Sequence, residues 1–521
     1  MQLSEFINKG ILSTNMTTRV RAFESVNARF VVVVMLVLSA LIAVDRIYTP
    51  EVPINVDPAS YAVAAHELLD GKNLYTDIWD HKPPAPFVTY ALAEIAFGYS
   101  PQTLRILNFI VCLIVLWGIF LAAKHGPGGR IAGLVAASLW AIVSGSVGLE
   151  GRDPNTEPFI DAFVVFAFYL IVANRKDGLS FLLSFVVGLL FFCASLYKPV
   201  AAANAALITL AYFAFAENRK RAIYNSLTIG AVGVSGWLAL FAYFYATGRG
   251  DIFYKSIVVF NNHYSGNIFE NIVAPVFGQA EIFVDVIGPL AVFAGLGTVC
   301  LYLYDKRLGV LIAAYLISSW IALAAAGRFS VHYYQLWVPS LVIASAWGIG
   351  YFLVSAKTAH RAIACTAGWM LAATLILFQL PLYRNIYAKE FVPQLPVLNA
   401  ANKTVDAIHL LLRDEETFYL WGNTPNLYLL ANRRPPAGIL FDNHLTDNPI
   451  ADDLAAQVRA QLERSRPEIL VIEQNRPPAP EWLTKEFEST PVYSDPQNYN
   501  MYARLGGRIA NEKNTNGDGR Q

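Results

Sequence analysis

The strongest constraint on this chain is a series of apolar stretches of roughly 17 to 25 residues, the length a helix needs to cross a bilayer. They lie near residues 30–48, 103–123, 131–149, 157–173, 180–197, 200–217, 224–246, 281–304, 309–326, 334–355 and 361–381. Charged residues make up only 15% of the 521, against roughly 25% in soluble globular chains, so an ordinary soluble protein is excluded. With 39 basic and 39 acidic side chains the net charge is zero, and the basic stripe or tail of a nucleic-acid binder is missing. The pattern predicts an all-α polytopic membrane domain of about eleven transmembrane helices.

One further apolar segment, Ala85 to Tyr99, is short and begins just after Pro83-Pro84. If it lies at the interface rather than crossing, the clusters Lys124/Arg130, Arg175/Lys176, Arg219–Arg221, Lys306/Arg307 and Lys357/Arg361 all fall on the side of the N-terminus. That is the Lys/Arg excess of cytoplasmic loops. The expected layout is a cytoplasmic segment 1–29 and a membrane domain 30–385 with a large first outer loop at 49–102. A small extracytoplasmic α/β domain over 400–507 and a disordered tail 508–521 follow. Strands are expected at Thr417–Trp421 and Glu468–Ile472, with a hairpin around Ser494–Gln497.

Polar residues concentrate in the first outer loop: Asn55, Asp57, Tyr61, His66-Glu67, Asp70-Gly71 and Asp77 to Pro84. Asp57 is placed either to cap a helix, with Pro58 in its first position, or to accept a proton from an attacking hydroxyl. Tyr61, four residues on, shares its helix face. Pro83 restricts Lys82 to an extended conformation, so Lys82 is either an interfacial anchor or the partner of a lipid-linked phosphate. Lys198, between two spans, and Arg328, which opens the segment containing His332 and Tyr333, offer the same two readings.

The order Asp57-x3-Tyr61, Asp70-Gly71, Asp80-His81-Lys82-Pro83-Pro84, an apolar helix ending at Gly98 and then Arg105 resembles a known family. It is that of the polyprenyl-phosphate-sugar-dependent membrane glycosyltransferases of the C fold. These comprise the dolichyl-phosphate-mannose protein mannosyltransferases, the lipid A aminoarabinose transferases and the lipopolysaccharide-core transferases. The resemblance implies that Asp57 is catalytic and that Lys82 contacts the donor phosphate. It matches Thr156-Glu157-Pro158, with Asp153 and Asp161 nearby, to a second acidic motif.

Together these features predict transfer of a sugar from a polyprenyl-phosphate carrier to a hydroxyl of a cell-envelope glycan, lipid or protein, with inversion. Arg328 and Lys198 would assist Lys82 at the phosphate, and Tyr61, His81, Asp153, Glu157, His332 and Tyr333 would line the site. Pro58 follows Asp57 where many relatives carry a second acid, so neither a metal nor a cofactor is expected. The enzyme would sit in the inner (plasma) membrane with its site and C-terminal domain outside. The alternative is a transporter or flippase of lipid-linked sugars, whose polar groups would lie near the midplane beside broken helices.

Overall fold

The computed structural model describes residues 26–47, 54–278, 283–355, 361–386, 395–495 and 498–517. Most of the expected N-terminal segment, Lys357 and the last four residues fall outside these. Helix α1 (Ala28–Ile47) leads into a loop carrying α2 (Val56–Leu69) and α3 (Ala85–Phe97). The bundle continues with α4 (Pro101–Ala123), α5 (Gly129–Val143), α6 (Thr156–Ala173), α7 (Phe181–Ser195) and α8 (Ala202–Ala214). It is completed by α9 (Arg219–Ala246), α10 (Gly288–Tyr304), α11 (Lys306–Ala325), α12 (Val338–Ser355) and α13 (Arg361–Ile386).

Apart from α2 and α3, these helices coincide with the eleven apolar stretches. Among the described residues seven are long and apolar enough to cross a membrane, and the remaining four contain shorter apolar stretches. Helix α12 runs through the interior, with Leu341 to Ala344, Ala346 and Trp347 fully buried. The outer faces are apolar as well: Leu36 on α1, and Leu227, Val234 and Leu238 on α9, are each 60% exposed or more. Exposed apolar surface of that extent fits lipid, not water. The 13 residues of α3 span only about 20 Å at 1.5 Å each, short of a ~30 Å hydrocarbon core.

The chain after the bundle forms a small α/β unit. Helix α14 (Leu395–Leu411) precedes β1 (Phe418–Trp421), α15 (Ala451–Ser465), β2 (Ile469–Glu473), β3 (Tyr493–Asp495) and β4 (Tyr499–Ala503). The strand order is β1-β2-β4-β3. Phe418 pairs with Ile469 in the parallel β1–β2 ladder, and Ile469 pairs with Ala503 in the antiparallel β2–β4 ladder. Along β4, Tyr499, Met501 and Ala503 point into the core, the alternation of a sheet with one covered face.

One expectation is corrected here. Residues 508–517 are not disordered but form helix α16 (Arg508–Gly517), because Ile509 and Ala510 are buried and Arg508 binds the Glu416 carboxylate at 2.6 Å.

The α/β unit rests on the segment between α1 and α4. The Trp79 N–H donates to the Gly438 carbonyl at 2.9 Å, and Gln461 donates to the Asp77 carbonyl at 2.8 Å. A Cβ at Gly438 would lie 1.9 Å from that same Asp77 oxygen, so only glycine allows the approach. Arg434 reaches back to Asp70 at 2.7 Å and Glu67 at 3.2 Å.

Candidate active site

Helix α2 begins two residues earlier than a cap at Asp57 would require. Asn55 occupies the N-cap position, with the Ala59 N–H on its carbonyl at 3.2 Å, and Asp57 lies in the first turn. Its carboxylate is thereby released from capping. It accepts instead from the Tyr61 hydroxyl at 3.3 Å, one turn along the same face. The helix ends at Gly71, whose φ of +83° suits a residue without Cβ.

Lys82 is brought to Asp57 by a backbone held at both ends. Its N–H donates to Asp80 Oδ1 at 3.0 Å and its carbonyl accepts from the Tyr75 hydroxyl at 2.9 Å. Pro83 follows, keeping Lys82 out of the helical region. Tyr75 adopts φ +77°, an uncommon left-handed conformation that clusters at functional sites. From this anchor the Lys82 ammonium lies 3.9 Å from Asp57, 3.6 Å from Asp80 and 5.0 Å from the centre of the Tyr61 ring.

A second layer comes from the far end of the sequence and from the turn between α7 and α8. His332 Nε2 is 4.0 Å from Asp57 Oδ2. The Lys198 ammonium contacts Glu157, which is fully buried in the first turn of α6, and lies 3.7 Å over the Tyr333 ring. Glu157 and Asp161 share a helix face, and Asp161 is buried one turn deeper. If each bundle helix crosses, the Asp57–His332 approach is the arrangement expected of an α3 that does not. Eight bundle helices, α4 to α11, separate the two residues, an even number that returns the chain to the same side. A crossing by α3 would make nine and place them on opposite sides.

Electrostatics divide the two carboxylates beside Lys82. Burial opposes ionisation of Asp57, but the Lys82 ammonium, with His332 and Lys198, outweighs it and holds the carboxyl below the ordinary range. Asp80 is pushed the other way, by burial and by the neighbouring Asp57 charge, despite Lys82. Lys82 is itself raised, since Asp80 and Asp57 together overcome its burial. Lys198 is lowered, mainly by burial. The arrangement is a carboxylate kept ionised beside a cation kept charged, with a second cation in reserve.

Lys82, Lys198, Tyr264 and Tyr333 line a cavity of about 580 Å³ together with the apolar side chains of Trp237, Phe241, Val258 and Ile268. Arg328 stands farther out, exposed, with its guanidinium 4.4 Å over the Tyr264 ring. His81 stacks on Phe260 at 5.0 Å and packs against Tyr264 and His444, with burial holding its imidazole well below the ordinary range. The supporting loop contains a π-helical turn, Lys255–Phe260, a form frequent at functional sites. Asn261, just after that turn, donates to the His81 carbonyl at 2.8 Å. Asp153 does not face the cavity. It accepts from the Asn55 N–H at 3.4 Å and lines a separate crevice with Arg46, Arg105 and Arg152, where burial and Glu150 raise it to about 7.

Four residues join the site without having been singled out individually. Asp80 was visible in the sequence two residues from Lys82. Tyr264 lies in the long segment between α9 and α10, whereas Glu150 and His444 carried no local signal; only folding brings them near Asp57 and His81.

No protein-family model and no curated protein matches the sequence. Solved structures do share its fold. ArnT from Cupriavidus metallidurans bound to undecaprenyl phosphate superposes with a TM-score of 0.62 at 11% identity, covering 92% of this chain and 98% of that one. The archaeal oligosaccharyltransferase AglB from Archaeoglobus fulgidus, in complex with an inhibitory peptide and a dolichol-phosphate, gives 0.53 at 13% identity over 85% of this chain and 69% of that one. Arabinofuranosyltransferase AftD from Mycobacteria gives 0.53 at 13% identity over 92% of this chain, which spans only 40% of AftD. The chain therefore has the C-type glycosyltransferase fold.

Proposed function

We propose that this chain is an integral membrane glycosyltransferase that takes a sugar from a polyprenyl-phosphate carrier and passes it to an acceptor hydroxyl with inversion. The observation that carries this is Asp57 held ionised 3.9 Å from the buried Lys82, which itself lines a cavity rich in apolar side chains. Asp57 acts as general base toward the acceptor hydroxyl. Lys82 and Lys198 stabilise the charge that develops on the departing lipid phosphate, and a preorganised cation in a dry site is effective there. Arg328, stacked over the cavity-lining Tyr264, meets the phosphate as it enters or leaves. A lipid phosphate is a fair leaving group, so no dedicated acid is needed. The undecaprenyl phosphate in ArnT and the dolichol-phosphate in AglB support the donor class.

A flippase would need its charged groups along the midplane. Here Asp57, Lys82, Glu157, Lys198 and His332 gather at one end of the helices, which favours an enzyme. The decisive assay is transfer of labelled sugar from polyprenyl-phosphate donors into an envelope extract. Mass spectrometry of envelope glycans from a strain lacking the protein should identify the acceptor. Unchanged glycans together with lost flipping of a labelled donor would establish the transporter instead.

Sidedness and metal independence belong to the same proposal. A reporter fused after residue 400 is expected to be active only outside the cytoplasm, and one near Lys220 only inside. A cytoplasmic signal from the C-terminal reporter would invert the whole layout. Asp57 already faces Lys82, and Pro58 follows it, so purified protein should keep its activity in excess chelator. Activity lost to chelator and restored by a divalent ion would overturn the metal-free mechanism.

A further inference from the structure

His332 and Glu150 meet across two outer segments and take no part in the transfer step described above. His332 is 6% exposed, and its Nδ1 lies 2.6 Å from Glu150 Oε2. A carboxylate can only accept, so Nδ1 carries the proton, and in the neutral form of the ring the lone pair sits on Nε2. That nitrogen has no hydrogen-bond partner and lies 4.0 Å from Asp57 Oδ2. The contact is longer than a hydrogen bond, as catalytic contacts often are before substrate binds.

Two features fix the pair independently. Gln335, one turn after His332, donates to the Leu149 carbonyl at 2.6 Å and so ties the segments together beside Glu150. Glu150 itself holds φ +49°, a strained conformation for a side chain with Cβ, and such strain gathers at functional sites. The other groups around the ring are Glu157 and Lys198, with Asp153 beyond and Tyr333 edge-on at 4.7 Å.

A base that has taken a proton must lose it before the next turnover. Lys82 is an ammonium with no lone pair, and the Tyr61 hydroxyl already donates to Asp57, so neither can relieve it. We propose that Glu150 and His332 form a proton-release dyad for Asp57, a role that rests on the transferase function proposed above. The acceptor oxygen bonds to the anomeric carbon as the bond from that carbon to the phosphate oxygen breaks. The electron pair of the broken bond leaves with the lipid phosphate, and the hydroxyl proton passes to Asp57. Asp57 hands that proton to Nε2, giving an imidazolium between two carboxylates. The imidazolium releases it from Nε2 to water once product leaves, which restores the starting ring. Glu150 orients the ring and stabilises its cation without itself being protonated, so His332 and Glu150 act through Asp57.

The test uses purified full-length protein, undecaprenyl-phosphate-linked hexoses and pentoses as probes, and an envelope extract from a strain lacking the protein as acceptor. His332→Gln should lose about tenfold or more in kcat, within the span of acid–base effects, while donor KM moves by less than about threefold. Neutral His332 must receive the proton, so wild-type kcat should fall toward low pH, and His332→Gln should lose that limb. Glu150→Gln removes the counter-charge of the imidazolium, so its acid limb should move to lower pH. Added imidazole should restore part of the turnover of His332→Ala. Wild-type kcat and pH profile in a folded His332→Gln would overturn the dyad. If that variant melts early, an unshifted limb in Glu150→Gln would do so. Transfer by wild type, with Asp57→Asn dead and His332→Gln normal, sinks the dyad alone. No transfer by wild type from any probe overturns the transferase function and the dyad with it.

Discussion

Asp57→Asn is expected to lower turnover by about 10²–10⁴, the usual contribution of general base catalysis, while leaving the fold and donor binding in place. Asparagine keeps the size of the side chain and can still accept from the Tyr61 hydroxyl, so the first turn of α2 is not disturbed. Lys82 does not become an unpaired buried cation either. Asp80 lies 3.6 Å from it, and the Asp57 charge that opposes Asp80 ionisation is gone in the variant. The stability change should stay within about 1 kcal/mol, the scale of a carboxylate at a helix N-terminus. Steady-state kinetics, donor binding and a melting curve on the same preparation check all three. Near wild-type turnover at unchanged stability would reduce Asp57 to a structural residue, and Glu157 would become the next candidate base.

Lys82→Ala is expected to act on two levels at once. At the donor, losing a charge-assisted contact of about 1.5–3 kcal/mol should weaken binding about 10- to 100-fold. In the protein, Asp57 and Asp80 are left facing each other without the cation between them. Removing one partner of a buried ion pair costs about 3–5 kcal/mol unless a carboxylate takes up a proton. Lys82 is the main attraction holding Asp57 below the ordinary carboxylate range, so its removal raises the Asp57 carboxyl. The base works ionised, so residual activity should be lost at a higher pH than in wild type. Lys82→Arg should keep part of the donor affinity, because the charge survives in a different geometry. Unchanged donor affinity in a folded Lys82→Ala would assign the phosphate to Lys198 and Arg328 instead.

Much of the membrane architecture was legible in the sequence because lipid imposes a one-dimensional rule. A helix that crosses needs about twenty apolar residues in a row, and such runs can be counted without knowing what packs on them. The strands around Phe418 and Ile469 were legible for a similar reason, as short apolar runs bounded by turns. The tail was misread because a polar composition hides a small anchored face: Ile509 and Ala510 are enough when Arg508 has Glu416 to hold. The cap alternative for Asp57 misses by two residues at the helix start, where local preferences for Asn and Asp are nearly equal.

The sequence by itself determined that this chain is a membrane bundle followed by a small α/β unit, and that Asp57, Tyr61 and Lys82 share one loop. Helical spacing and the stiffness of Lys-Pro-Pro are local properties, set by bond geometry within a few residues. Only the tertiary structure decided which distant groups complete the site. His332 stands 275 positions after Asp57, and Lys198 reaches Glu157 across 41. No local rule couples such positions, since their meeting depends on how eight intervening helices return the chain to one face. The same packing placed α3 beside α2, turned Asp153 away from the cavity and set Glu150 against His332. Those contacts arise from burial, where charges must find partners, and burial is a property of the whole bundle.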